Sequence, residues 1–137
     1  MKFERKINYY ETDKMGIVHH SNYIRFLEEA RTDWLEKANL PYSSFEENGI
    51  LIPVLKVDIS YKYPARFGDT IVINTKIKEF KGVHLVMSYV ITKKGSNELV
   101  AVAETKHCFT DTNVKPINLK KKNVKFYDIF EQGKEEL

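Results

Sequence analysis

The chain has 137 residues, of which 42% are hydrophobic and 30% are charged, and its formal net charge is +3. A chain of this length can bury a hydrophobic core without disulfides or metal, and its composition is typical of a folded globular domain rather than a disordered or fibrous one. Its uncharged stretches are too short to span a membrane, its single cysteine excludes an internal disulfide, and its small net charge argues against nucleic-acid binding. Charges also occupy the N-terminal positions where a signal peptide needs apolar residues, so we expect a cytoplasmic protein. The length and composition together predict one domain over residues 1–137.

The first predicted elements are a strand and a polar loop. Residues Phe3 to Tyr10 mix aromatic, aliphatic and charged side chains in a short run typical of a strand, and the polar residues Glu11 to Lys14 end it. Asp13 is therefore expected just past a strand end.

A long amphipathic helix is predicted from Ser21 to Asn39. Ser21 or Asn22 can cap its first turn, and Asn39-Leu40-Pro41 supplies a stop. The apolar residues recur at steps of three and four, which places them on one helical face: Tyr23, Phe26, Leu27, Ala30, Trp34 and Ala38. We expect this to be the only long helix.

Four further strands are predicted after a polar connection at 43–49. Short turns at Lys81-Gly82 and Gly95-Ser96-Asn97 suit hairpins, so these strands should run antiparallel. The segments are Ile50 to Tyr63, Thr70 to Phe80, His84 to Thr92 and Leu99 to Thr110. The pattern predicts an α+β fold in which an antiparallel sheet wraps around one long helix, with a partly apolar outer sheet face that favours a homodimer.

A Lys-rich tail begins at about residue 113. Lys120, Lys121 and Lys122 form the one cluster of charge in the sequence, and Phe126 to Phe130 predict a short terminal helix. The lysines are either a solvated surface or a contact for an anionic ligand or acidic partner.

The loop between the first strand and the long helix carries the chemistry. Asp13 supplies a carboxylate, Gly16 lets the backbone turn closely, and residues near His20 present the unpaired amides of a helix N-terminus. Such amides polarise a carbonyl while the carboxylate attacks it or activates a water, which is what acyl transfer or hydrolysis requires. On the residues alone, an ordinary turn residue remains the alternative for Asp13.

Two stretches of the chain follow a distinctive pattern. The first reads Tyr10-x-x-Asp13-x-x-Gly16-x-Val18-x-His20-x-x-Tyr23-x-x-Phe26-x-Glu28-x-Ala30-Arg31, and the second reads Tyr63-Pro64-Ala65-Arg66-Phe67-Gly68-Asp69. Together they resemble the signature of hotdog-fold acyl-CoA thioesterases of the 4-hydroxybenzoyl-CoA type, including the bacterial branch linked to the Tol-Pal system. The resemblance covers roughly Phe3 to Thr112.

The resemblance implies hydrolysis of an acyl-CoA, with Asp13 as nucleophile or general base and the backbone amide of His20 polarising the thioester carbonyl. It implies no metal or redox cofactor. It also implies a homodimer with its sites at the subunit interface, or a homotetramer formed from two such dimers. The residues expected to contact substrate are Gly16, His19, Tyr23 and Lys81.

Several features depart from the pattern or leave alternatives. His19 and Lys14 replace an aromatic and a small residue, so the pocket mouth should be more polar and cationic, and the hairpin at Lys81 keeps one Lys of a basic cluster. Glu28 suits an i,i+3 ion pair with Arg31. The alternatives are a hotdog acyl-thioester dehydratase or hydratase that uses His20 and Glu28, and a non-catalytic acyl-CoA binding protein. Acyl length, aromatic or aliphatic preference, and CoA or carrier-protein substrate stay open.

Overall fold

The computed structural model describes residues 1–135, so positions 136 and 137 of the predicted domain lie outside the described residues. The strands are β1 (Lys2–Lys6), β2 (Val54–Tyr61), β3 (Thr70–Phe80), β4 (His84–Lys93) and β5 (Leu99–Cys108). The helices are α1 (Asn22–Lys37), α2 (Tyr42–Glu47), α3 (Leu119–Lys122) and α4 (Val124–Gly133), with a 3-10 turn at Tyr9–Glu11. No helix among these residues is long and apolar enough to cross a membrane.

The five strands form one antiparallel sheet in the order β1-β3-β4-β5-β2. Strands β3, β4 and β5 follow one another as an antiparallel meander, as their two short turns predict. Strand β2 does not pair with β3, its neighbour in sequence, but forms one edge beside β5, and β1 forms the other edge. The helix α1 packs against this sheet and buries Tyr23, Phe26, Leu27, Ala30, Trp34 and Leu35. The predicted α+β hotdog arrangement, a sheet wrapped around one helix, is confirmed.

The core forms because α1 has one apolar face and the strands turn alternate apolar side chains toward it. Leu85, Met87, Tyr89 and Ile91 alternate along β4 and are at most 2% exposed. Each large apolar side chain buried in this way stabilises the fold by about 1.5–3 kcal/mol before entropy is counted.

The first strand ends four residues earlier than predicted. After Lys6 the chain turns, because the Glu11 carboxylate accepts hydrogen bonds from the backbone N–H of Asn8 at 2.8 Å and from the Arg5 guanidinium at 2.7 and 2.9 Å. This local bonding gives the backbone a 3-10 turn in place of more strand.

Strand β2 is shorter than predicted, and a helix precedes it. Pro53 cannot donate to a ladder, so regular pairing begins at Val54. The polar connection predicted at 43–49 contains α2, which Phe45 anchors by burying its ring completely.

The tail folds onto the core rather than remaining wholly solvated. Leu119, Phe126 and Phe130 are buried, and α4 is longer than the predicted Phe126–Phe130 helix. The three lysines at 120–122 are exposed.

The outer sheet face is more polar than predicted. Val90 is 43% exposed there, but Lys78 and Glu104 form an ion pair on the same face. Exposed apolar side chains instead mark the edge strand β2 at Val54, Leu55 and Tyr61. A second copy therefore has a better apolar contact at this edge than on the face.

Candidate active site

Asp13 lies in a tight turn between the 3-10 turn and α1. Its backbone N–H donates to Ile17 O at 2.9 Å, and its own carbonyl accepts from Gly16 N–H at 3.0 Å. Gly16 has φ +75°, which an L-residue adopts only with strain. The Asp13 Oδ1 accepts from Met15 N–H at 2.8 Å, so one carboxylate oxygen orients the side chain within its own turn.

The turn is tied to its surroundings at both ends. Val18 N–H donates to Ala65 O at 2.8 Å, which joins the turn to the segment before β3. The Glu11 carbonyl accepts from His19 N–H and from the Asn22 side-chain amide, both at 2.9 Å. These hydrogen bonds thus hold the Asp13 turn next to the start of α1.

An ion pair that the sequence did not predict stabilises the junction between the Asp13 turn and α1. Arg5 binds Glu11 with two hydrogen bonds, lies 2.6 Å from Glu29 Oε1, and stacks over the Phe26 ring at 4.2 Å. Burial raises the pKa of Glu11, but the hydrogen bonds from Arg5 and Asn8 outweigh it and hold that pKa below its usual value. The two partners lie in different elements, so no periodic signal in the sequence links them.

The backbone amide of His20 is available to a ligand. Its N–H donates to no acceptor among residues 1–135, whereas the amides of Asn22 and Tyr23 bond to the carbonyls of His19 and His20. The His20 carbonyl also accepts from the Tyr61 hydroxyl at 3.5 Å. An unpaired amide just before α1, with the positive end of the helix dipole behind it, suits a developing oxyanion.

The ring of His19 is engaged locally. Its Nδ1 lies 2.8 Å from Ser21 Oγ and accepts from Ser21 N–H, and its ring stacks on His20 at 4.3 Å. Neither predicted cap, Ser21 or Asn22, bonds the first-turn amides of α1. The Ser21 hydroxyl makes no cap hydrogen bond because it bonds the His19 ring, and the Asn22 amide reaches back to Glu11.

Two of the predicted substrate contacts differ from the expectation, because Tyr23 is buried next to the Asp13 turn and Lys81 lies far from it. Tyr23 is 3% exposed and packs against Tyr61, so its ring belongs to the core wall beneath the site. Lys81 is exposed and pairs with Glu79 at 3.0 Å. It follows β3, whose 11 residues span about 33 Å, while the Asp13 turn lies near the start of β3. Within one chain, Lys81 is at the opposite end of the sheet from Asp13.

That opposite end contains a cavity of about 520 Å³ between α1 and the first residues of β2. Its apolar wall includes Leu35, Ile52, Pro53, Val54, Leu85 and Met87, and its polar lining includes Glu28, Arg31 and His107. Glu28 and Arg31 make no ion pair with each other, so the predicted i,i+3 pair is wrong. Solvent reaches Glu28, whereas Arg31 turns to the Tyr89 hydroxyl at 3.3 Å.

Buried polar side chains continue from Arg31 into the core. The Tyr89 hydroxyl lies 2.7 Å from Thr105 Oγ1, which lies 2.8 Å from His107 Nε2. Burial, and secondly the Arg31 charge, lower the pKa of His107 to about 4, so this ring is neutral at pH 7. The inward alternation of Tyr89 on β4 was visible in the sequence, but its polar partners were not. No three His, Cys, Asp or Glu side chains within residues 1–135 are grouped to hold a metal ion.

The chain is similar to proteins named as thioesterases. A family profile described as "Thioesterase-like superfamily" matches residues 7–126. YneP of Bacillus subtilis (strain 168), whose name proposes an acyl-CoA thioesterase, is 33% identical over 133 residues, which are 97% of this chain and 96% of that protein. Acyl-CoA thioester hydrolase YbgC of Escherichia coli O157:H7 is 31% identical over 72% of this chain and 73% of its own length.

Solved structures extend the likeness to the whole fold. The DHNA-CoA thioesterase of Staphylococcus aureus superposes with a TM-score of 0.91 at 26% identity, over 96% of this chain and 88% of that one. With the fold, the Asp13 turn and the unpaired His20 amide in place, the match over residues 7–126 shows that this chain belongs to the thioesterase-like, hotdog superfamily.

Proposed function

We propose that this protein is an acyl-CoA thioesterase, with Asp13 and the backbone amide of His20 as its catalytic groups. The observation that carries the proposal is the unpaired His20 N–H at the start of α1, in the segment that follows the Asp13 turn. The thioester carbonyl accepts from this amide. Asp13 either attacks the carbonyl carbon, which gives a mixed anhydride that water then hydrolyses, or takes a proton from a water that attacks the carbonyl carbon directly. The C–S bond breaks, and the products are a carboxylate and the CoA thiol.

The substrate assignment draws on the relatives. YbgC is named an acyl-CoA thioester hydrolase, and FadM of Escherichia coli (strain K12), 30% identical over 75% of this chain and 77% of its own length, is named a long-chain acyl-CoA thioesterase. We place the protein in the 4-hydroxybenzoyl-CoA type and the Tol-Pal-linked branch on its own Asp13 and Tyr63–Asp69 motifs. We also propose a cytoplasmic location, because a single cysteine is in keeping with a reducing compartment.

We also propose that two copies build each site. Strand β2 is an edge, so its outer backbone groups are free to pair with a second β2. Antiparallel pairing about the middle of β2 puts the end that carries Tyr61 in one copy beside the end that carries Val54 in the other. Tyr61 contacts His20, and Val54 lines the cavity near Arg31. The Asp13 turn of one copy then meets the cavity of its neighbour.

This pairing also gives the lysines a role. Val54 pairs with His107, which pairs with Leu85, and the β3–β4 hairpin with Lys81 is at that same end. Leu119 N–H donates to Gly82 O at 2.9 Å, so the Lys120–Lys122 cluster is there as well. In the dimer these cations approach the CoA phosphates of a substrate held at the other copy's Asp13. Association of two such dimers gives the tetramer expected from the resemblance.

The proposal is tested by Asp13→Asn, which keeps the size of the side chain and removes its charge. Release of CoA thiol across acyl-CoA substrates should fall about 10²–10⁴-fold, as expected for the loss of an acid–base group. Asp111→Asn is the matched control, because Asp111 accepts from Asn113 N–H at 2.8 Å in a similar turn outside the loop that carries Asp13. Thermal stability and sedimentation should show both variants folded and equally associated.

Other outcomes would point elsewhere. Full activity in Asp13→Asn contradicts the assigned catalytic role. Hydration of an enoyl thioester without thiol release supports the dehydratase alternative, with His20 and Glu28 as the pair to replace. Saturable CoA-ester binding without any turnover supports a binding protein. His20→Ala should keep most thiol release, because the backbone N–H that we assign to catalysis remains.

A further inference from the structure

The cavity near Arg31 has a cation in an apolar wall without an acidic partner. Arg31 is half-buried, and no carboxylate oxygen lies within 4 Å of it among residues 1–135. Its one hydrogen bond among residues 1–135 is to the Tyr89 hydroxyl at 3.3 Å, which leaves most of its five N–H donors for other acceptors. A guanidinium surrounded by apolar side chains is destabilised unless an anion or water meets these donors.

The buried chain behind Arg31 fixes the direction of its hydrogen bonds. Arg31 can only donate, so the Tyr89 oxygen accepts from it and Tyr89 gives its single proton to Thr105 Oγ1. Thr105 then donates to Nε2 of the neutral His107. The proton of the neutral ring is then on Nδ1, which makes no hydrogen bond of good geometry. The backbone carbonyls of Ile52 and Pro53 are nevertheless near enough to raise the pKa of His107. This series of hydrogen bonds therefore holds Arg31 in place. It also uses the hydroxyl protons of Tyr89 and Thr105, which are then not available to a ligand.

A ligand that complements this cavity is apolar along its length and ends in an acceptor. A carboxylate fits best, because it accepts two parallel hydrogen bonds from a guanidinium and needs no acceptor in return. A ligand hydroxyl would have to donate as well. An unsubstituted alkyl end would displace water from Arg31 and leave its donors unpaired.

We propose that the cavity near Arg31 binds acyl groups whose far end bears a carboxylate, so that the enzyme prefers CoA thioesters of dicarboxylic acids. This inference rests on the proposed function, in which the cavity of one copy receives the acyl group held at the other copy's Asp13 turn. The volume of about 520 Å³ lies within the usual range for small-molecule pockets and leaves room for a six- to eight-carbon chain.

Among residues 1–135, Glu28 is the one acidic side chain that lines the cavity. It is exposed, so water and salt screen its repulsion of a ligand carboxylate, while Arg31 is shielded by the wall. Glu28→Gln should therefore leave the preference unchanged or increase it.

The experiment measures kcat/KM for CoA thiol release from pairs of equal chain length: adipoyl-CoA with hexanoyl-CoA, and suberoyl-CoA with octanoyl-CoA. The intact protein should prefer the dicarboxylic member by roughly 10- to 150-fold, the range for a hydrogen bond to a charged group. Arg31→Met should lower kcat/KM for the dicarboxylic member of each pair more than for the monocarboxylic member and so abolish this preference, whereas Arg31→Lys should keep part of it. Arg25→Met, an exposed arginine on the same helix outside the cavity, is the matched control.

Each remaining outcome has a fixed meaning. Equal rates for both members of each pair, or a stronger preference for 4-hydroxybenzoyl-CoA, overturn the carboxylate assignment while thiol release upholds the thioesterase. Equal loss on all substrates in Arg31→Met, or a lower sedimentation coefficient, overturns it in favour of a structural or intersubunit role. Tyr89→Phe gives a second variant, since it should lower the preference without changing the charge in the cavity. Absence of thiol release from every substrate would refute the proposed function instead.

Discussion

Replacing Glu11 with glutamine is expected to destabilise the protein by about 3 kcal/mol. Loss of one partner of a buried ion pair costs about 3–5 kcal/mol, because the remaining charge stays desolvated. Glu11 is 4% exposed and Arg5 13% exposed, so solvent compensates little. Arg5 keeps its contact with Glu29, which places the expected value at the low end of that range.

The measurement is urea unfolding at pH 7, followed by far-UV circular dichroism. Glu4→Gln is the control, because Glu4 pairs with Lys94 at 3.0 Å on the surface and such pairs contribute about 0–1 kcal/mol. Thiol release should also fall in Glu11→Gln, since a weaker bond to Arg5 no longer fixes the position of the Glu11 backbone, whose carbonyl accepts from His19 N–H and from the Asn22 side chain.

The pH dependence gives an independent check. The folded-state pKa of Glu11 is lowered from 4.5, so its contribution is present above that pH and is lost as the pH falls through the folded value. The gap in stability between the intact protein and Glu11→Gln should therefore narrow below pH 4.5. A gap under about 0.5 kcal/mol at pH 7, or one that widens in acid, would refute the assigned role of this pair.

Three further results are expected. Gly133→Ala should lower the free energy of unfolding by about 1–3 kcal/mol in urea titration, because the added Cβ would lie 2.7 Å from the Trp34 ring and force α4 away from the core; an unchanged midpoint would contradict this packing. The free energy of unfolding should decrease by about 2 kcal/mol from pH 7 to pH 5 through His107 alone, because its pKa is about 4 in the folded state and 6.5 in the unfolded state. His107→Gln should flatten this dependence of stability on pH, and an unaltered dependence would rule out His107 as its source. Gly16→Ala should lower the free energy of unfolding by about 1–2 kcal/mol. The loss comes from backbone strain and not from a clash, since open space surrounds the added Cβ. Unchanged stability in differential scanning calorimetry would argue against the left-handed turn.

Most of the fold was predictable because its elements have strong periods. The three- and four-residue spacing from Tyr23 to Trp34 identified α1, and the short turns at Lys81-Gly82 and Gly95-Ser96-Asn97 identified the antiparallel strands β3, β4 and β5 within a few residues. The prediction failed where side chains compete with regular structure, as at Glu11, or where one buried anchor such as Phe45 turns a polar segment into a helix.

Part of the candidate site was likewise predictable from the sequence, and part was not. The order of residues places Asp13, Gly16 and His20 together, because they are neighbours in one loop before a helix. Only the tertiary structure shows that Lys81 lies at the far end of the sheet and that Arg31 lacks its expected partner Glu28. These facts depend on contacts between residues as far apart as Arg31 and Tyr89, and local sequence patterns carry no information about such contacts.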